Sequence, residues 1–243
     1  MQYWAITDPG CVRPQNQDVY RVEQLDKNAL LCVVCDGMGV ARSGNIASSL
    51  ASDVFCRDVV ERYRTDMAQE QIDAMLLAAG KLANYMVFDQ SQQSEAFLGM
   101  GTTLVAALVR GRHATVLNVG DSRAYRIGRA GIQRVTRDHS LIELMISRGE
   151  LTAEEARHYP GRNLITRAVG TESSVQCDLF RLDLERGDCL LLCSDGLSNL
   201  VDEQEILFEV VHGVNRQHCC RNLLEIAKAR GASDNVTCVL VQL

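Results

Sequence analysis

The chain has little proline, no dense cysteine framework, no excess of positive charge and no long apolar stretch. Only 3 of its 243 residues are proline, and its 18 glycines are scattered. With 47% hydrophobic and 23% charged side chains, this is the composition of an ordinary globular protein. A disordered, collagenous or repeat-dominated chain is excluded. The 25 basic and 31 acidic side chains leave a net charge of -6, with no block of five like charges. Binding to nucleic acid or to an anionic membrane through bulk charge is therefore not expected. The longest apolar run, Ala29 to Cys35, has seven residues, far short of the ~20 that cross a bilayer. The opening MQYWAITDPG shows neither a basic nor an apolar leader segment, so the expected location is the cytoplasm.

The ten cysteines are about 4% of the chain, below the ~8–10% of a short disulfide scaffold. Most lie inside apolar runs such as LLCVVC and CLLLCSD and read as reduced, buried small hydrophobes. Cys32 and Cys35 spell CxxC, yet on a strand positions i and i+3 face opposite ways. A metal or redox pair is not expected there.

Apolar periodicity gives early strands at Tyr3–Thr7, Val19–Glu23 and Leu30–Cys35. Helical spacing follows, with Ile46, Leu50, Val54 and Val59 on one face, then Ile72, Met75, Leu76, Ala79, Leu82, Ala83 and Met86 on another. Strands resume at Thr102–Val109, Ala114–Val119, Ala124–Ile127 and Ile132–Thr136, with tight glycine turns that imply antiparallel pairing. Capping boxes at Ser140/Glu143 and Thr152/Glu155 open two short helices in an insert over about 138–170. Strands at Val175–Leu182 and Cys189–Cys193, helices from Asp202 and Gln217, and a final strand at Val236–Val241 complete the reading. Blocks of strands and helices, without strict alternation, argue against a parallel doubly wound sheet. So many strands exceed one flat sheet, which leaves two stacked sheets with helices outside. No repeat, linker or low-complexity tract divides the chain, so a single domain over 1–243 is expected.

Asp18, Asp36, Asp121, Asp195 and Asp234 all sit at predicted strand ends, often beside glycine. Any one alone is satisfied by a turn or cap. Together they point to a shared site, because a carboxylate against a buried apolar run is costly unless a cation meets it. Such an all-oxygen cluster suits Mg²⁺ or Mn²⁺ rather than Zn²⁺. Its negative charge calls for two or more ions, and a carboxylate-bridged metal pair implies hydrolysis. Arg13, in the loop before Asp18, suits bidentate phosphate recognition, against the alternative of a solvated loop arginine. There is no Walker lysine, and Gly37-Met38-Gly39 is too short for a dinucleotide fingerprint. Phosphate enters as substrate.

Eight segments, in order, carry a resemblance: TDPGCVRPQNQD, CDGMG, MGTTLVAALV, NVGDSRAY, TRDHS, NLITRAVG, LLCSDGLSN and SDNVT. The chain resembles the metal-dependent serine/threonine protein phosphatases of type 2C, in their bacterial single-domain form. The resemblance implies an α+β, four-layer α-β-β-α sandwich of two stacked, mainly antiparallel sheets flanked by helices. It implies two Mn²⁺ or Mg²⁺ ions bridged by Asp36, with Asp195 and Asp234 on one and Asp18 plus the Gly37 carbonyl on the other. Asp121 and Asp195 match a third, weaker metal site, and Arg13 matches the substrate-phosphate arginine. Asn235 is expected as a supporting group rather than a ligand. A metal-bridging hydroxide would attack phosphorus directly, without a phosphoenzyme.

Family members usually follow DGMG with Gly-His, whereas Val40 and Ala41 stand there in this chain. His139 or a metal-bound water then becomes the candidate general acid. The insert over 138–170 resembles the family's variable flap, where Arg148, Glu150, Glu154, Glu155 and Arg157 read either as substrate selectors or as solvated helix faces; His158 and Tyr159 carry no stronger reading. The expected partners are phosphoproteins made by a Ser/Thr kinase, with no nucleic acid and no membrane, acted on by a monomer. Two alternatives are a pseudophosphatase that binds without turnover and a two-metal hydrolase of small phosphoesters.

Overall fold

The computed structural model describes residues 1–39, 43–156, 159, 161, 164–213 and 216–243. Val40, Ala41, Arg157, His158 and Asn163, all singled out in the sequence, lie outside the described residues. Strands β1 (Gln2–Asp8), β2 (Asp18–Asp26) and β3 (Ala29–Met38) lead into helices α1 (Ser43–Arg62) and α2 (Gln69–Ser91). After a single 3-10 turn come β4 (Gly101–Thr102), β5 (Leu104–Arg110), β6 (His113–Val119), β7 (Arg123–Gly128) and β8 (Gly131–Arg134). Short helices α3 (Leu141–Ser147) and α4 (Ala153–Ala156) precede β9 (Asp178–Asp183) and β10 (Cys189–Cys193). Helices α5 (Asp195–Ser198), α6 (Glu203–His212) and α7 (Arg216–Ala229) precede β11 (Val236–Gln242). No helix among the described residues is long and apolar enough to cross a membrane.

One sheet runs β1-β11-β10-β7-β8 and the other β2-β3-β5-β6-β9, with β4 paired to β3. Every strand pair is antiparallel. Two faces of each sheet are covered, which is why β3 reads as an unbroken apolar run. Its Leu30, Cys32 and Val34 enter the core between the sheets, beside Val105, Leu190 and Val239. Its Leu31, Val33 and Cys35 face α1 and α2, beside Phe55 and Leu76. Cys32 and Cys35 thus point to opposite sides, both buried and free. A third core lies under α6 and α7, built from Leu191 and Cys193 with Ile206, Leu223 and Leu224. Each fully buried aliphatic side chain contributes about 1.5–3 kcal/mol.

Small residues line the face of α1 that packs on the sheet. Its buried stripe includes Gly44, Ala47, Ser48, Ala51, Ser52, Phe55 and Val59, while Ile46, Leu50 and Val54, expected on one face with Val59, are only partly buried beside it. The Ser48 hydroxyl donates to Gln17 O at 2.6 Å, and the Ser52 hydroxyl accepts from Arg21 Nε at 3.0 Å. Similarly, Ile72, Met75, Leu76, Ala79 and Ala83 of α2 are buried as the spacing predicts, whereas Leu82 and Met86 turn to solvent. Strand β9 begins at Asp178, where pairing with Asn118 starts, rather than at Val175; Val175 and Cys177 pack into the helix-side core instead. Strand β8 stops at Arg134, and the Thr136 hydroxyl accepts the Ala124 N–H at 3.0 Å in place of a ladder carbonyl. Ser140 caps α3, but Glu143 does not reciprocate, because Arg134 and Arg137 take its carboxylate.

Candidate functional site

Strand register gathers the chemistry at one edge of the sandwich. Asp18 opens β2 directly opposite Asp36 on β3, so both side chains project from one face. Cys193 pairs with Cys238 on β11 and with Arg123 on β7. That places Asp195, just past β10, Asp234, just before β11, and Asp121, just before β7, at a common end. Asp8 pairs with Val236, so the loop carrying Arg13 leaves from the same edge.

Local packing holds these segments. Gly37 at the end of β3 donates its N–H to Gln17 O at 3.2 Å, and a Cβ there would lie 2.1 Å from Gly44 O. Only glycine lets β3 end against α1. The Thr103 hydroxyl accepts the Asp36 N–H at 2.9 Å and sits 2.7 Å from the Ser122 hydroxyl, tying the Asp36 and Asp121 segments together. Asn235 staples the Arg13 loop: its Nδ2 donates to Pro9 O and Gln15 O, both at 3.0 Å, and its Oδ1 accepts from Gln17 N–H at 2.8 Å. An amide so occupied is a support, not a free ligand.

The carboxylates feel one another. Burial, followed by the charges of Asp18, Asp195, Asp121 and Asp234, pushes the Asp36 carboxyl well above the ordinary carboxylate range. Burial pushes Asp18 up to about 6 against hydrogen bonds from Thr237 and Ser194, with Asp195 and Asp234 adding repulsion. Burial and the neighbouring Asp195 and Asp138 push Asp121 up to about 7. Asp195 is raised by burial and then by Asp234, while its contact with Asp36 opposes the rise. Desolvation and like charge act together here, a combination typical of functional sites.

Asp18 Oδ2 accepts from the Ser194 hydroxyl at 2.7 Å, yet its buried Oδ1 has no hydrogen-bond partner. An orphaned carboxylate oxygen among other carboxylates fits a hard divalent cation in charge and in donor chemistry. Among the described residues, no three acidic, imidazole or thiol groups are drawn into a finished ligand shell. Arg13 Nη2 donates to Asp234 Oδ2 at 2.8 Å, with both side chains about half exposed and reachable from solvent.

His139 is placed differently from the general acid expected of it. Its Nδ1 accepts the Gly120 N–H at 3.0 Å, and its Nε2 lies 3.0 Å from Asp178 Oδ2 and 2.9 Å from Arg167 Nη1. Burial holds it below the ordinary imidazole range. With both nitrogens engaged and the ring buried, its ring proton is committed to neighbouring groups rather than free for a leaving group. Ser194, Thr103, Ser122 and Thr237 escaped notice in the sequence, although each adjoins a motif. Their partners lie far along the chain, as with Ser194 and Asp18, 176 positions apart.

The family profile described as protein phosphatase 2C matches residues 14–226. Serine/threonine phosphatase stp of Listeria monocytogenes serotype 4b is 34% identical over 238 residues, covering 97% of this chain and 93% of that protein. The solved S. agalactiae serine/threonine phosphatase is 31% identical, covers 100% of this chain and 99% of its own, and superposes with a TM-score of 0.93. The catalytic domain of serine/threonine protein phosphatase PstP, solved in complex with two manganese ions, is 30% identical with a TM-score of 0.84, covering 98% and 96% of the two chains.

Proposed function

The chain belongs to the protein phosphatase 2C family and is a protein-serine/threonine phosphatase, and from that premise we propose that it hydrolyses phosphoserine and phosphothreonine at the edge where the five aspartates meet. The carrying observation is the strand register that brings Asp18, Asp36, Asp121, Asp195 and Asp234 to one end, with the buried Asp18 Oδ1 left without a hydrogen bond. Asp36 would bridge two Mn²⁺ or Mg²⁺ ions, with Asp195 and Asp234 on one and Asp18 with the Gly37 carbonyl on the other. Asp121, with Asp195, would serve a third and weaker site. Divalent ions held by these residues would supply Lewis acidity, lowering the pKa of water so that hydroxide would be available near neutral pH for hydrolysis.

The rest of the chemistry falls to side chains of the chain. Arg13 orients the substrate phosphate and stabilises its equatorial oxygens through charge-assisted hydrogen bonds. Asn235 keeps the Arg13 loop in place, and Ser194 orients Asp18. The proton for the departing seryl or threonyl oxygen comes from water, since both His139 nitrogens are taken. We read 1–243 as one catalytic domain with a flap over about 138–170, acting as a cytoplasmic monomer on phosphoproteins made by a Ser/Thr kinase. Within the flap, Glu155 is occupied by its own helix, accepting from the Thr152 N–H and hydroxyl at 2.8 and 2.7 Å, so it reads as a helix cap rather than a substrate contact.

The test is phosphopeptide turnover by the wild type with Mn²⁺, with EDTA, and by Asp36→Asn. Turnover that needs the metal and Asp36 supports the reading. Undiminished turnover in EDTA overturns the metal, and preference for nucleotides over phosphopeptides overturns the substrate.

A further inference from the structure

Gly120 precedes Asp121 with φ at +107°, a backbone conformation that side chains resist. A Cβ there would also lie 2.6 Å from Thr103 Cγ2. A residue of this kind cannot anchor itself, so its position is set by whatever grips its peptide groups. We propose that His139 is the positioning residue for Asp121, clamping Gly120 at both its N–H and its carbonyl. The Gly120 N–H donates to His139 Nδ1 at 3.0 Å, and the His139 N–H donates to Gly120 O at 2.9 Å.

The ring is itself oriented. Because an amide N–H can only donate, Nδ1 carries the lone pair and the ring proton sits on Nε2, facing Asp178 Oδ2 at 3.0 Å. Arg167 Nη1 donates to Asp178 Oδ1 at 2.8 Å and to Gln176 O at 3.2 Å, fixing that carboxylate in turn. Burial of the ring favours the same neutral form. The chain of support runs from Arg167 through Asp178 and His139 to Gly120, the residue next to the carboxylate. On the other flank, the hydroxyl pair of Ser122 and Thr103 holds Asp121 from the side of Asp36. Groups that orient a metal ligand typically change metal affinity by about 10- to 100-fold when lost.

This inference rests on the metal reading of Asp121 proposed above, and two measurements keep the two apart. The first is amide hydrogen exchange at Gly120 in the metal-free protein. The second is calorimetric titration with Mn²⁺, resolving tight and weak classes of site. In His139→Phe, Gly120 should lose protection and the weak class should weaken about tenfold or more, while the tight class stays within about twofold. In His139→Asn, whose amide oxygen offers the N–H an acceptor, both readouts should return most of the way toward wild type. If His139→Phe fails to fold, Asp178→Asn, altered at a partly exposed residue, should give the same pattern with a smaller loss. Unchanged weak-site affinity in a folded variant with an unprotected Gly120 overturns the positioning role. Absence of any Mn²⁺ binding by the wild type overturns the metal reading first, and this inference with it.

Discussion

Asp18 and Asp138 are buried to a similar degree, 5% and 9% exposed, in opposite surroundings. Asp138 meets Arg123 through a fork, Nε at 3.1 and 3.0 Å and Nη2 at 2.7 Å, with Arg134 at 3.7 Å. Its countercharge is built into the chain. Asp18 meets only the hydroxyls of Ser194 and Thr237, its Oδ1 has no hydrogen bond, and the charges that act on it are those of Asp195 and Asp234. An acid with its own arginine is compensated within the chain, while an acid among acids is, on the reading proposed above, the one an external cation would serve.

The largest effect that would sharpen this contrast is Asp36→Asn. It should lower Mn²⁺-supported phosphopeptide turnover about a thousandfold or more, given the several kcal/mol that a metal centre supplies to the transition state. Steady-state kinetics decides it, and activity within tenfold of wild type breaks the contrast. Next comes Asp138→Asn, which leaves the partly buried Arg123 without its countercharge. A cost of about 3–5 kcal/mol is expected in chemical denaturation.

Arg13→Ala should cost about tenfold to a hundredfold in kcat/KM, the worth of hydrogen bonds to a charged group, with the unfolding midpoint in urea unchanged. Smaller still is a pH effect in EDTA. Carboxyls raised in the folded state stabilise it fully below the ordinary value of 3.8, and lose that contribution as pH rises through about 6 for Asp18 and about 7 for Asp121. The metal-free Tm should therefore sag across that interval and recover with Mn²⁺, which binds only the folded chain. Asp18→Asn should flatten the sag by about 2–5 °C. A Tm that climbs between those pH values and is insensitive to Asp18→Asn would argue that the aspartates do not repel one another.

Much of this was legible in sequence because burial on both faces of a sheet writes itself as a continuous apolar run, and β3 is such a run. The same logic separates Cys32 from Cys35. The α1 stripe was misread because periodicity weights large side chains, whereas the face packed on the sheet is lined by Gly44, Ala47, Ser48 and Ala51. The five aspartates stood out by their shared address at strand ends. Their supports did not, because Ser194, Thr103 and Asn235 act on partners fixed only by the register of distant strands. His139 was noticed for its chemistry, while its actual partners, Gly120, Asp178 and Arg167, come from three other segments.

The place of β11 has a consequence for biosynthesis. It lies between β1 and β10, although it is the last of the described strands to leave the ribosome. Asn235, at its threshold, also ties down the loop that bears Arg13 near the beginning of the chain. A nascent polypeptide that has already made four of the five aspartates therefore still has an open first sheet and a loose arginine loop. Closure of the first sheet and anchoring of the Arg13 loop both wait on the same segment, from Asn235 onward.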